Sequence, residues 1–197
     1  MQFRLIYQGK LPAASSSDKR SEEKHAIRRV FHPQLLELWT KNPFLKRFVQ
    51  GHTPKVFPDG EAVSVMSKMA EAYIRSSYRF LPLIRSKLGV MCSLDILFLR
   101  RDEPGDLISG GGDIDNRIKV LFDALRVPAE NEVRGIPGAD EDPLLCLLED
   151  DKLISEIHIT TDRLLTPMDG TDHVNDVHLI IRVDTVVTNH NLAWDVF

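Results

Sequence analysis

Cysteine is scarce: only Cys92 and Cys146 occur in 197 residues. Two cysteines cannot build a disulfide framework or a four-cysteine zinc site, and they suit a reducing cytoplasm. Long apolar runs are missing too, and none approaches the ~20 residues that a membrane-spanning helix requires. The start, MQFRLIYQGK, has no basic stretch leading into an apolar one and no small-residue cleavage site, so no signal peptide is expected. There is no overall excess of positive charge, since 25 Lys+Arg face 29 Asp+Glu. That excludes a generic nucleic-acid coat. Eleven glycines, eleven prolines and a mean hydropathy of -0.17 exclude a collagenous or membrane-embedded chain. No internal repeat is visible. What remains is an ordinary globular composition, 43% hydrophobic and 27% charged, at single-domain length. The reading is one soluble, cytoplasmic domain over residues 1–197, with no membrane partner.

The bland net charge of -4 hides a split: residues 1–101 carry a net +10 and residues 102–197 a net -14. Such asymmetry means either mixed, solvated charge or a face for a polyanion beside a face for cations. A DNA-binding role would then need a local basic patch and carboxylates masked by metal.

The pattern predicts these elements. Residues 2–8 alternate as an edge strand. Residues 10–24 are polar and serine-rich, a mobile loop running into a helix start. A helix over 26–30 continues to Pro33, which opens a second helix over 33–41 that buries Leu35, Leu36, Leu38 and Trp39. Residues 65–76 suit a helix with Met66, Met69 and Tyr73 inward. Strands over 78–84 and 90–100 are joined most economically by a hairpin at 86–89. After a glycine-rich loop at 105–112, Ile118, Leu121, Phe122 and Leu125 fall at i, i+3, i+4 and i+7, an amphipathic helix ending before Pro128. Residues 128–143 carry proline, glycine and acidic side chains and read as a surface excursion. Strands follow over 153–161 and 176–187, the last antiparallel to its predecessor, across a polar loop at 166–175. The fold class is α/β, a mixed sheet with antiparallel hairpins packed against helices.

The chemistry concentrates at Asp113-Ile114-Asp115-Asn116-Arg117-Ile118-Lys119. Two carboxylates at i and i+2 in an extended segment point to one side. Asp115 or Asn116 can cap the helix, and Lys119 lies one turn after Asp115 on the same face. A plain cap with an exposed ion pair explains Asp115 and Lys119, but it leaves Asp113 without a duty. A second cluster, Glu149-Asp150-Asp151, opens the next strand. If the two clusters meet at one sheet edge, their carboxylates repel unless protonated or bridged by a hard cation such as Mg²⁺ or Mn²⁺. Carboxylates, a divalent ion and a nearby ammonium are the components of phosphodiester hydrolysis.

The runs GDIDNRIKVLFDALR and LLEDDKLISEIHI resemble the RusA-type Holliday junction resolvase family over 111–126 and 147–160. The shared pattern is Asp-x-Asp-Asn, a lysine four residues after the second Asp, an apolar helix, and an Asp-Asp pair leading into a strand. The resemblance implies a homodimeric, Mg²⁺-dependent endodeoxyribonuclease that nicks four-way DNA junctions in pairs. It implies metal ligation by Asp113, Asp115 and Asp151, with Asp150 beside them, and an essential role for Lys119. Family members commonly keep the helix and the Asp-Asp pair close in sequence, whereas here the acidic 128–143 segment intervenes. Alternatives are a nuclease for flaps or other branched nucleic acid, and a branched-DNA-binding protein without turnover. Arg100 and Arg101 end the strand that feeds the glycine loop; with Arg117 they are the candidate phosphate contacts. His173, His178 and His158 read as surface residues, and Gly110-Gly111-Gly112 does not match a phosphate-cradling loop.

Overall fold

Alternation in the first strand puts Leu5 and Tyr7 inward and Arg4, Ile6 and Gln8 outward, and this two-residue period organises the larger of two sheets. The computed structural model describes residues 1–12, 17–51, 64–101, 114–133, 135–165 and 175–188, with side chains in the first helix from 21 onward. The larger sheet has the order β1 (Gln2–Lys10), β7 (Asp176–Val187), β4 (Val90–Arg100), β6 (Ile154–Arg163). Its first two pairings are antiparallel, and β4 runs parallel to β6. The smaller sheet joins β2 (Ile74–Arg75), β3 (Tyr78–Ile84) and β5 (Leu144–Leu148), with β3 and β5 parallel. The architecture is mixed α/β, as the pattern predicts.

Two expected pairings are corrected. The last strand pairs with β1 and β4, not with its predecessor β6. Val177, Leu179, Ile181 and Val183 of β7 are all fully buried, which a central position provides. β6 carries exposed Glu156, Ile157 and His158 and takes the edge. Nor do β3 and β4 form a hairpin. A 3₁₀ turn at Ser86–Leu88 ends at Gly89 in the left-handed region, φ 58°, and sends the chain to the other sheet. The Glu149 carboxylate holds this turn, accepting from the Ser86 N–H at 2.7 Å and its hydroxyl at 2.6 Å.

The helices also differ from expectation. α1 is continuous over Ser17–Lys41, so the predicted loop at 10–24 is helical from 17, and Pro33 sits inside a helix rather than starting one. Pro33 is on the solvent side, where the Arg29 carbonyl that it leaves unbonded can meet water. Burial of Ile27, Phe31, Leu35 and Trp39, spaced every four residues, outweighs the local cost. Leu36 is exposed and Leu38 only half-buried, against expectation. The predicted 65–76 helix is shorter: α2 (Lys46–Gln50) is followed by α3 (Val65–Ala70), a 3₁₀ turn at Glu71–Tyr73, and β2. Met66 is buried as expected, and Ala70 with it, whereas Met69 and Tyr73 are only half-buried. α4 (Ile114–Leu125) forms where the apolar spacing predicts, but it begins at Ile114, so Asp115 and Asn116 lie in its first turn and neither is the cap expected from sequence. No helix among the described residues is long and apolar enough to cross a membrane.

β5 reads Leu-Leu-Cys-Leu-Leu with every residue buried, a strand that the sequence pattern does not predict. Its alternate residues serve two clusters. Leu145 and Leu147 join the main core with Phe98, Leu121 and Trp39, while Leu144 and Cys146 join Tyr78, Phe80, Val127 and Val133. Val133 belongs to the 128–143 segment, so that segment roofs the second cluster rather than making a free excursion. Both cysteine thiols are buried, and burial pushes them up to about 11 at Cys92 and about 12 at Cys146.

Ion pairs fasten the same segment and resolve much of the charge split. Arg29 pairs with Glu141 at 2.6 Å, Arg79 with Asp142 at 2.6 Å, and Lys24 with Glu132 at 2.7 Å. His32 donates from Nε2 to the Asp140 carbonyl at 2.8 Å while Nδ1 accepts from the Leu145 N–H at 3.0 Å. The positive first half therefore meets the negative second half within the molecule.

His25, beneath this segment, is 9% exposed, lies edge-on to Tyr78 at 4.9 Å, and has no hydrogen-bond partner on either ring nitrogen. Burial, then the Arg29 and Arg28 charges, pull its pKa down to about 4. The unfolded chain takes up this proton near pH 6.5, so stability falls as pH drops from about 6.5 toward 4. Between pH 7 and pH 4.5 the unmutated protein should lose about 2 kcal/mol more than His25→Phe, by the ~1.4 kcal/mol worth of each pKa unit. Urea unfolding at the two pH values checks this.

Candidate active site

α4 divides its residues between two surroundings. Arg117, Ile118, Val120, Leu121, Ala124 and Leu125 are buried. The adjoining strip, Asp115, Lys119 and Phe122 at i, i+4 and i+7, faces a cleft of about 410 Å³. Across the cleft, Ile157 and Ile159 of β6 project from the same side of the strand. Asp151, the first residue of a 3₁₀ turn at Asp151–Leu153, completes the lining. Asp115, Lys119 and Asp151 are all exposed at its rim. Among the described residues no ion pair joins Asp115 to Lys119, so the expected helix pair is open.

The three acidic residues at 149–151 have different duties. Glu149 ties the Ser86 turn, as described above. Asp150 caps the turn that follows it, its Oδ1 accepting from the Lys152 N–H at 3.0 Å with the Lys152 ammonium 3.7 Å from Oδ2. That backbone hydrogen bond, followed by the Lys152 charge, holds Asp150 below the usual carboxylate range. Asp151 alone of the three lines the cleft, and its side chain is hydrogen-bonded to that of Asp150. It also acts on Arg126: against burial, the carboxylates of Glu132, Asp123 and, more weakly, Asp151 raise the guanidinium.

Asp113 lies outside the described residues, as do the 105–112 glycine loop and His173. Among the described residues no three His, Cys, Asp or Glu side chains come together closely enough to hold an ion. Asp115 and Asp151 are exposed oxygen donors, the ligand class that hard divalent cations take together with water, and so they fit Mg²⁺ better than a soft ion.

The candidate phosphate-contacting arginines need correction. Arg100 and Arg117 are fully buried and present no surface to DNA. Arg117 donates from Nη1 to the Leu11 carbonyl at 3.0 Å, tying α4 to the end of β1. Arg101 is half-buried and donates from Nη1 to the Leu164 carbonyl, leaving it the most accessible of the three. Buried arginines were not foreseeable from sequence, because a guanidinium beside an acidic motif normally reads as a surface contact. The apolar walls of the cleft were missed for a related reason: Phe122, Ile157 and Ile159 fit a core pattern, and only the edge position of β6 leaves them uncovered. No family model matches this chain, and no curated protein or solved structure is significantly similar to it.

Proposed function

We propose that this protein is a Mg²⁺-dependent endodeoxyribonuclease that cleaves phosphodiester bonds in branched DNA, with four-way junctions as the substrate class and a homodimer as the acting form. The observation that carries the reading is the common cleft of Asp115, Lys119 and Asp151, which come from two chain-distant acidic motifs. A first-turn helix carboxylate and a turn residue with purely structural duties have no reason to share a cleft with a lysine that, among the described residues, has no ion-pair partner. Asp115 and Asp151, with Asp113, would hold the ion; Asp150 would buttress Asp151 from its capping position. When bound, Mg²⁺ supplies neutralisation of a phosphate oxygen and activation of water. Lys119 binds the scissile phosphate from the helix face and stabilises the charge that grows on it in the transition state.

Paired nicking of a two-fold junction needs two sites related by two-fold symmetry. The expected solution mass is therefore twice 22.4 kDa. Sedimentation equilibrium at micromolar concentration, with and without DNA, measures it. A mass of 22.4 kDa under both conditions would remove the paired-nick mechanism and leave a simple nuclease. The direct test of the function is incubation of labelled junction, flap and linear duplex with and without Mg²⁺. Binding to the junction without any Mg²⁺-dependent product would favour a branched-DNA-binding protein instead.

A further inference from the structure

The floor of the cleft has a chemistry of its own. Ile118 and Phe122 from α4 and Ile157 and Ile159 from β6 meet beneath the charged rim. None of these side chains can donate or accept a hydrogen bond. Ile157 is 46% exposed on an edge strand and Phe122 and Ile159 are half-buried, whereas Ile118 is covered. A volume of about 410 Å³ is within the range of clefts that take small ligands. Covering this floor is favourable, but a flat protein partner would bury Asp115, Lys119 and Asp151 along with it, which is costly without matched charges. A nucleotide avoids that conflict, because its base is a flat apolar surface and its phosphate remains at the rim beside Lys119. Lys119 and Phe122 are neighbours on one face of α4, with Cβ atoms about 5–6 Å apart. That is the scale on which a phosphate is offset from its own base. In a duplex the faces of each base are covered by its neighbours, so only a base that has left the stack offers a face to such a floor.

We propose that this floor docks an unstacked nucleobase next to the scissile phosphate, with Phe122 as the stacking platform and Ile157 as the opposite wall. The proposal rests on the nuclease reading above and narrows its substrate to DNA that is unstacked at the cut. Stacking of this kind tolerates any base, because every base has a π-face.

The test places 2-aminopurine beside the cleaved bond of a four-way junction and, separately, at the same position in a linear duplex. Fluorescence is read on binding in Ca²⁺ and cleavage is read in Mg²⁺, for the unmutated protein, Phe122→Ala and Ile157→Asp. Ile157 is exposed enough that its variant keeps the test valid should the Phe122 variant fold poorly. Binding is expected to change the fluorescence of the junction and not of the duplex, and both variants should lose that change. Junction cleavage should fall at least about tenfold in each variant, the scale of one lost base–aromatic stack. A signal no different from that of the duplex overturns the proposal. So does conversion of a dimer to a monomer by Ile157→Asp, which would make the floor a subunit interface. Cleavage without a fluorescence change removes base docking and keeps the nuclease; a fluorescence change without cleavage does the reverse.

Discussion

Asp151→Asn is expected to lower Mg²⁺-dependent cleavage of a four-way junction by about two orders of magnitude or more, the usual scale for losing a preorganised electrostatic group. Asparagine keeps the shape of the side chain at the start of its 3₁₀ turn, so the turn, which Asp150 caps, should persist. Only one negative charge is lost, and with it affinity for the cation. Binding to the junction should be unchanged or tighter, because less negative charge faces the phosphates. Asp113→Asn should behave in the same way. Lys119→Ala should separate from both: the cation still binds, cleavage is lost, and junction affinity weakens slightly. Ca²⁺, larger and less exacting in geometry, should support binding with little cleavage. Gel-shift and cleavage assays on one junction measure all of these. Cleavage by Asp151→Asn at the unmutated rate would show that Asp151 holds no ion and that the family resemblance misleads. Parallel loss of binding and cleavage in every variant would point to damage of the fold.

The second large effect concerns stability. Lys24 is buried, 6% exposed, with its ammonium 2.7 Å from Asp123 and 2.7 Å from Glu132. Arg126 bridges the same two carboxylates at 2.8 and 3.2 Å. This four-member cluster joins α1, α4 and the start of the 128–143 segment. Burial pushes the Glu132 carboxyl up, but the hydrogen bond from Lys24 and that from the Ala129 N–H bring it below the usual range. Lys24→Met keeps the hydrocarbon stem and leaves two carboxylates sharing one guanidinium. The loss should be about 3 kcal/mol, the low end for breaking a buried pair by removing one partner. For a chain of this length that is a fall in melting temperature of about 6–12 °C. Calorimetry measures it, and proteolysis should become faster within 128–143. Lys41→Met is the control, since Lys41 pairs with Glu37 in full exposure and should change little.

Elements whose pattern is local were legible before any coordinates. α4 is legible because its apolar residues repeat at helical spacing over two turns and a proline follows it. β4 was equally clear, with Cys92, Leu94, Ile96 and Phe98 alternating against a more polar side. β5 was missed because five consecutive apolar residues carry no period, and burial on both faces is what makes them so. Pro33 misled because the rule that breaks a helix is local, whereas the core contacts that carry α1 through it are not.

For the site, the sequence alone determined the chemical types and their local spacing: a carboxylate and a lysine one turn apart on a helix, and a second carboxylate ahead of a strand. Helical geometry sets the first relation and chain order the second, so neither required the fold. Only the tertiary structure decided that Asp115, Lys119 and Asp151 line one cleft, because that depends on α4 lying beside β6. It also decided that Asp150 is a cap, that Arg100 and Arg117 are interior, and that the acidic segment is tied to α1. Each of these turns on which surfaces are covered. Burial is a property of the packed whole, and a charged residue reads the same in sequence whether it faces water, a partner charge or the core.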